Sequence, residues 1–189
     1  MKKHAGGDLT EHRVSGEEVY GGVLLHVQRD AVRLPDGRVA TREYIDHPGA
    51  VAIVPVLDDG RILLERQFRY PLGRVMVELP AGKIDPGEDP LGTARRELLE
   101  ETGHTAREWR HVGTIHPLVA YSNERIELYL ARGLAESREG AALDDGEFLE
   151  TFALPLAEAL TWVRDGRITD SKTVTGLLWA EKLLGGEWP

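Results

Sequence analysis

The rhythm of apolar and polar positions changes several times along this chain, and each change predicts a different element. From Glu18 onward, "VYGGVLLHVQRDAVRLPDGRVATREYI" alternates apolar with polar residues around the turn "PDG", the period-two pattern of strands. "GAVAIVPVL" (49–57) is a continuous apolar run of strand length, and "DDG" turns it into a further strand, "RILLERQFR". "VMVELPAG" (75–82) reads as another. The period then becomes helical in "DPLGTARRELLEETG", where Asp89 suits the N-cap, Pro90 the first helical position and Gly103 the residue just past the end. Strand-like material returns in "EWRHVGTIHPL" and "RIELYLARGL". A polar loop, "AESREGAALDDGE", leads into the strand "FLETFAL". The remainder reads as two amphipathic helices around "DGRITD", with Trp162 and Trp179 on their apolar faces as core residues.

This order mixes strands and helices without regular βαβ alternation. It predicts an α+β fold, an α/β/α sandwich on a mixed sheet, with a small N-terminal antiparallel β unit. Residues 1–15 are polar and expected to fray. Residues 16–47 form the β unit, and 48–189 form the main domain. "HPG" (47–49) most simply starts a strand, because proline restricts the residue before it.

Composition narrows the class. The chain has 189 residues, 41% hydrophobic and 29% charged, enough to bury one core. No apolar run approaches the roughly 20 residues of a membrane span, and "MKKHAGGDLT" has no apolar signal region, so no membrane partner is expected. With no cysteine, disulfide frameworks and thiolate zinc sites are excluded, which fits a cytoplasmic protein. A net charge of −9 argues against nucleic acid, whose binders carry a basic face. A small phosphorylated ligand held through metal ions stays compatible with that charge.

The chemistry concentrates on the central helix. At about 100° per residue, Leu91, Ala94 and Leu98 form one apolar stripe, and Glu97 and Glu101 lie about 40° apart at its edge. Glu100 lies further round. Like charges at this spacing repel, more so beside a buried face. A hard divalent cation relieves that conflict, with substrate phosphate and water completing its shell. The competing reading is a solvated acidic face balanced by Arg95 and Arg96.

Residues 82–104 decide between them. Gly82, five residues, Glu88, seven residues and "RELLEETGH" resemble the Nudix box, Gx5Ex7REUxEExGU, with U a bulky apolar residue. Gly82, Glu88, Arg96, Glu97, Leu98, Glu100, Glu101 and Gly103 all match; His104 departs from the apolar last position. It reads as an imidazole capping the helix end, with a catalytic base as the other option. The resemblance implies a Nudix hydrolase using Mg²⁺, with Mn²⁺ able to substitute. By position, it makes Glu97 and Glu101 metal ligands and Glu100 a further ligand or water-positioning group. Arg96 orients a glutamate, Glu88 holds that arginine or joins the metal shell, and the Ala81 carbonyl is a ligand in some members.

The likeness runs over roughly residues 15 to 185. "TREYIDHPGAVAIVPVL", "LLERQFRYP", "ELPAGKIDPGE", "YSNERIELYLA", "DDGEFLE" and "GRITDSKT" resemble the ADP-ribose pyrophosphatase group. That resemblance implies a homodimer with swapped N-terminal strands, in which Arg42 and Glu43 reach ligand across the interface. It makes Arg69 and Glu124 substrate contacts. It also makes Asp145 the general base and Glu147 a further metal ligand. Asp145 is one methylene shorter than the usual glutamate, so Glu147 is the alternative base, and a solvated acidic loop is the bland alternative for both. Val119 and Ala120 stand where the group often has Pro-Gly. Tyr121 is a candidate stacking residue; it, Tyr20, Phe68 and Tyr70 otherwise read as exposed or as core or dimer packing. His4, His12, His26, His111 and His116 lack ligand spacing and read as structural.

The expected reaction is hydrolysis of a nucleoside diphosphate sugar, ADP-ribose giving AMP and ribose 5-phosphate. GDP-mannose or another nucleotide sugar is the alternative within the same class. A non-catalytic nucleotide sensor is the alternative outside it.

Overall fold

In the computed structural model, which describes residues 7–138, 140–143, 146 and 148–188, the chain divides into two units. One comprises residues up to His47 together with Leu118–Glu124. Its strands β1 (His12–Gly21), β2 (His26–Arg33) and β3 (Val39–Asp46) form an antiparallel sheet in that order. β1 starts well before Glu18, inside the stretch expected to fray. Every β1 residue is exposed, so no apolar alternation marks the strand; its pairing, His12 with Arg33 and Arg13 with Val32, defines it. Asp30 is buried and takes Arg13 Nε at 2.9 Å and Tyr44 OH at 3.4 Å on one oxygen. The other oxygen lies against Gly16, where an added Cβ would meet it at 1.7 Å. Residues 118–124 join this unit through Ile45 N–H to the Tyr121 carbonyl at 2.8 Å and His47 N–H to Asn123 Oδ1 at 2.8 Å.

The second unit holds β4 (Ala50–Pro55), β5 (Arg61–Arg69), β6 (Arg74–Glu78), β7 (Ala81–Lys83), α1 (Pro90–Thr102), β8 (His104–Ile115), β9 (Ile126–Glu136), β10 (Leu149–Pro155), α2 (Leu156–Arg164) and α3 (Ser171–Leu184). One sheet runs β7-β4-β9-β8, with β4 parallel to β9 and the outer pairs antiparallel; another runs β10-β5-β6. β4 is apolar throughout because helices cover both of its faces, as buried parallel strands require. Val51 and Ile53 pack with Tyr129, Ala131 and the α1 residues Ala94 and Leu98. Ala52 and Leu128 face the other way, toward Trp179, while Val54 and Leu130 meet Ala159, Leu177 and Ala180. The mixed sheet between helices is the predicted sandwich. Trp162 and Trp179 pack at the core margin, half-buried.

Two expectations change here. "VMVELPAG" is two strands in different sheets, not one. Pro80 has no N–H to continue a ladder, and its carbonyl instead accepts Ile53 N–H at 2.9 Å, steering the chain from β6 into β7. Tyr20, Phe68, Tyr70 and Tyr121 are all exposed, so none of them is a core residue.

Candidate active site

Helix α1 starts and stops where its sequence says. The Asp89 carboxylate accepts the N–H groups of Leu91 and Gly92, both at 3.0 Å, and Gly103 ends the helix at φ +69° with its N–H on the Leu99 carbonyl. Ala94 and Leu98 are fully buried, and this fixes the rotation of the helix. Glu101 is thereby buried and Glu97 is 13% exposed, while Glu100 stays at the edge.

The strand β7 runs directly beneath these carboxylates. Ala81 N–H donates to Glu101 Oε2 at 2.9 Å. An added Cβ on Gly82 would stand 1.8 Å from Glu97 Oε1, so only glycine lets the carboxylate rest there. Ala81 and Gly82 lie in this short strand, held at Ala81 by pairing with Ala52.

Arg96 organises the other side. Its Nε and Nη2 grip both oxygens of Glu88 at 3.0 Å, and its Nη1 reaches Glu97 Oε1 and Glu100 Oε2, each at 2.9 Å. Glu88 Oε2 also accepts Thr93 Oγ1 at 2.8 Å. The Arg96 and Thr93 hydrogen bonds draw the Glu88 carboxyl down to about 2. Arg96 is pushed above its ordinary value, first by the Glu88 hydrogen bond. Three carboxylates of the motif, Glu88, Glu97 and Glu100, thus gather around one guanidinium, with Asp85 at 3.7 Å, while Glu101 rests on the Ala81 backbone.

Among the described residues no set of three or more His, Asp or Glu side chains is arranged as a finished metal site. Glu97 and Glu100 turn to Arg96 instead, and Asp145 and Glu147 lie outside the described residues. The donor chemistry still fits a hard divalent cation: two carboxylates lie against bare backbone at Ala81 and Gly82, with formal negative charge in excess. The chain leading to Asp145 is pinned beside the helix, with Ser137 N–H on the Gly103 carbonyl at 2.7 Å and Ala142 N–H on the Glu100 carbonyl at 2.9 Å. His104 Nδ1 sits 2.8 Å from the Thr102 carbonyl, the helix-end contact expected of a cap.

The remaining candidates fall elsewhere. Arg69 leaves the end of β5 and pairs with Glu78. In the N-terminal unit, Arg42 pairs with Glu11 at 2.6 Å and Glu43 with Arg29 at 3.0 Å. As consecutive strand residues these two project from opposite faces of β3. Glu124 is half-buried, with His47 Nε2 at 3.9 Å. Sequence reasoning gave no role to Thr93, Glu78, Asp170 or Lys172. Asp170 was open to discovery as the N-cap of "TDSKT", accepting Thr173 N–H at 3.0 Å. Nothing in the sequence pairs Lys172 with Glu78.

The chain resembles known proteins over most of its length. The NUDIX domain model matches residues 46–175, and the nucleoside diphosphate sugar hydrolase N-terminal domain model matches residues 11–45. The chain is 40% identical over 169 residues to the methanol dehydrogenase activator of Bacillus methanolicus, covering 89% of this chain and 91% of that protein. It is 38% identical over 165 residues to the ADP-ribose pyrophosphatase of Bacillus subtilis, covering 87% and 89%. The crystal structure of an ADP compounds hydrolase superposes with a TM-score of 0.83 at 23% identity, covering 96% of this chain and 98% of the other, a likeness of fold. The carboxylate helix, the strand beneath it and these matches establish the chain as a member of the Nudix hydrolase family, with a nucleoside diphosphate sugar hydrolase N-terminal domain ahead of the Nudix domain.

Proposed function

We propose that the chain is a Mg²⁺-dependent hydrolase of nucleoside diphosphate sugars whose preferred substrate is ADP-ribose, cut with water to AMP and ribose 5-phosphate. The observation that carries this reading is the placement of Glu97 and Glu101 against the Ala81–Gly82 backbone, with Arg96 tying Glu97 and Glu100 to Glu88. The likeness to an ADP-ribose pyrophosphatase over most of both chains supports the choice of substrate.

Glu97, Glu101 and the Ala81 carbonyl would hold Mg²⁺ or Mn²⁺, with Glu147 as a further ligand. Bound there, the cation neutralises diphosphate charge and makes water a better nucleophile. Glu100 orients the attacking water, and Asp145, or Glu147 in its place, takes the proton. Arg96 holds Glu97 and Glu100 in register through its grip on Glu88. Arg69 meets the diphosphate, and Glu124 faces the substrate. Arg42 and Glu43 act from the second subunit of a homodimer. The exposed apolar residues of the N-terminal unit, among them Val14, Tyr20, Leu24 and Val39, support such pairing. Among the described residues no helix is long and apolar enough to cross a membrane.

A panel of nucleoside diphosphate derivatives, compared by kcat/KM with products identified in ¹⁸O-water, tests the reading. The expected result is the highest value for ADP-ribose, with label in one of the two phosphate esters. A higher value for GDP-mannose overturns the substrate, and ligand-induced heat stabilisation without any ester product overturns the activity.

A further inference from the structure

A second charged cluster lies in the same unit, three residues up the chain from Ala81. Glu78 closes β6 with its side chain only 4% exposed. Arg69 grips it with both teeth of the guanidinium, Nε to Oε1 at 2.7 Å and Nη2 to Oε2 at 2.8 Å. From α3, Lys172 donates to the same Glu78 Oε2 and to Asp170 Oδ2 at 3.1 Å. Lys172 is 12% exposed and Arg69 is 39% exposed, so the lysine is the inner cation and the arginine the outer one. Burial alone would raise the Glu78 carboxyl, but the Arg69 hydrogen bond and the Lys172 charge outweigh it and hold it below its ordinary value.

The surroundings fix this arrangement. Asp170 caps α3, accepting Thr173 N–H at 3.0 Å and Thr173 Oγ1 at 2.6 Å, and Thr173 Oγ1 in turn accepts Leu79 N–H at 2.8 Å. The start of α3 is therefore stitched to the strand end that carries Glu78. Glu65 is fully buried opposite Glu78 in the β5–β6 register and adds its charge near Arg69. Arg69 Nη1 has no hydrogen-bond partner among the described residues.

An arginine held by a lone carboxylate forms a neutral pair, a poor attractor for a diphosphate. Here Glu78, Asp170 and the buried Glu65 together would overcompensate Arg69. Lys172 supplies a second cation, bonded to both Glu78 and Asp170, and reduces that excess. We infer that Lys172 is a positioning residue which, through Glu78, sets the direction and the effective charge of Arg69 for the substrate diphosphate. This deepens the reading given above, since it rests on Arg69 meeting the diphosphate. Lys172 itself is too enclosed to be the contact. A purely structural salt bridge predicts a different pattern, because buried ion pairs act on the folded fraction rather than on affinity.

The test is steady-state kinetics on the full-length protein with ADP-ribose in excess Mg²⁺, for Lys172→Met, Arg69→Ala and the double variant, with folding checked by circular dichroism. Lys172→Met is expected to raise KM roughly tenfold, the scale of one charge-assisted hydrogen bond, and to change kcat by less than about threefold. Lys172→Arg is expected to recover most of that KM. In the Arg69→Ala background the Lys172→Met effect is expected to vanish, because it acts through Arg69. Should Lys172→Met not fold, Lys172→Gln, which keeps a donor without the charge, carries the same expectation. An unchanged KM in the folded lysine variant, or an effect that persists in full without Arg69, overturns this inference alone. An unchanged KM in Arg69→Ala overturns the role of Arg69 on which it rests.

Discussion

Two charge clusters in the second unit are built in opposite senses. Around α1, one guanidinium, Arg96, is shared by the carboxylates Glu88, Glu97 and Glu100, with Glu101 beside them. At the end of β6, one carboxylate, Glu78, is clamped between two cations, Arg69 and Lys172. The first gathers negative charge where the proposed cation would bind. The second sets two cations among carboxylates, and one of the two, Arg69, is half-open to solvent. A metal diphosphate needs both signs within one site, and the short step from β6 to β7 links Glu78, which holds the two cations, to the backbone under Glu97 and Glu101. The clusters also differ in origin. Three of the four α1 carboxylates come from one helical repeat, whereas the Glu78 clamp unites residues from β5, β6 and α3.

The largest expected effect separates the clusters by what they do to turnover. Glu101→Gln keeps the oxygen that accepts Ala81 N–H but removes the charge. In saturating Mg²⁺ it is expected to lose at least ~100-fold in kcat while circular dichroism stays native. Wild-type turnover would remove Glu101 from the metal set.

Gly82→Ala probes the same cluster more gently. Its Cβ would stand 1.8 Å from Glu97 Oε1, the mobile end of a side chain, so the fold survives and the carboxylate moves. Displacement on this scale is expected to cost roughly 10²-fold in kcat, with weaker Mg²⁺ binding by titration calorimetry and little change in Tm. Retained activity would mean that Glu97 has no need to lie over Gly82.

The smallest effect concerns stability in acid. The Glu88 carboxyl lies at about 2 in the fold against an ordinary 4.5, so its pairing with Arg96 stabilises fully above 4.5 and is lost as pH falls toward 2. Thermal melts from about pH 5 to about pH 2.5 are expected to fall less steeply for Glu88→Gln than for the parent chain. Parallel curves would show that the Arg96 grip contributes nothing to folding.

Much of the first cluster was legible because its geometry is local. Helical spacing set Glu97 and Glu101 at the margin of the Leu91–Ala94–Leu98 stripe, and the caps at Asp89 and Gly103 fixed the helix ends. The mixed sandwich followed from the order of strands and helices, which lacks regular βαβ alternation. β1 was misjudged because an exposed polar strand carries no apolar period and is defined by its partner. The break at Pro80 was missed because "VMVELPAG" is apolar on both sides of it, and only pairing shows that β6 and β7 belong to different sheets.

What the sequence determined by itself, then, is whatever the backbone period and a fixed motif spacing dictate: the order of elements, the carboxylate helix with its caps, and the resemblance that these residues carry. Tertiary structure alone decided which distant charges meet. Lys172 and Glu78 are 94 residues apart, and no local period links them. Their contact exists because α3, capped by Asp170 and stitched through Thr173 to Leu79, brings its first turn to the end of β6. The same holds for Gly82. Its spacing marked it as part of a motif, but only the packed helix above it shows that its missing side chain is the space Glu97 fills.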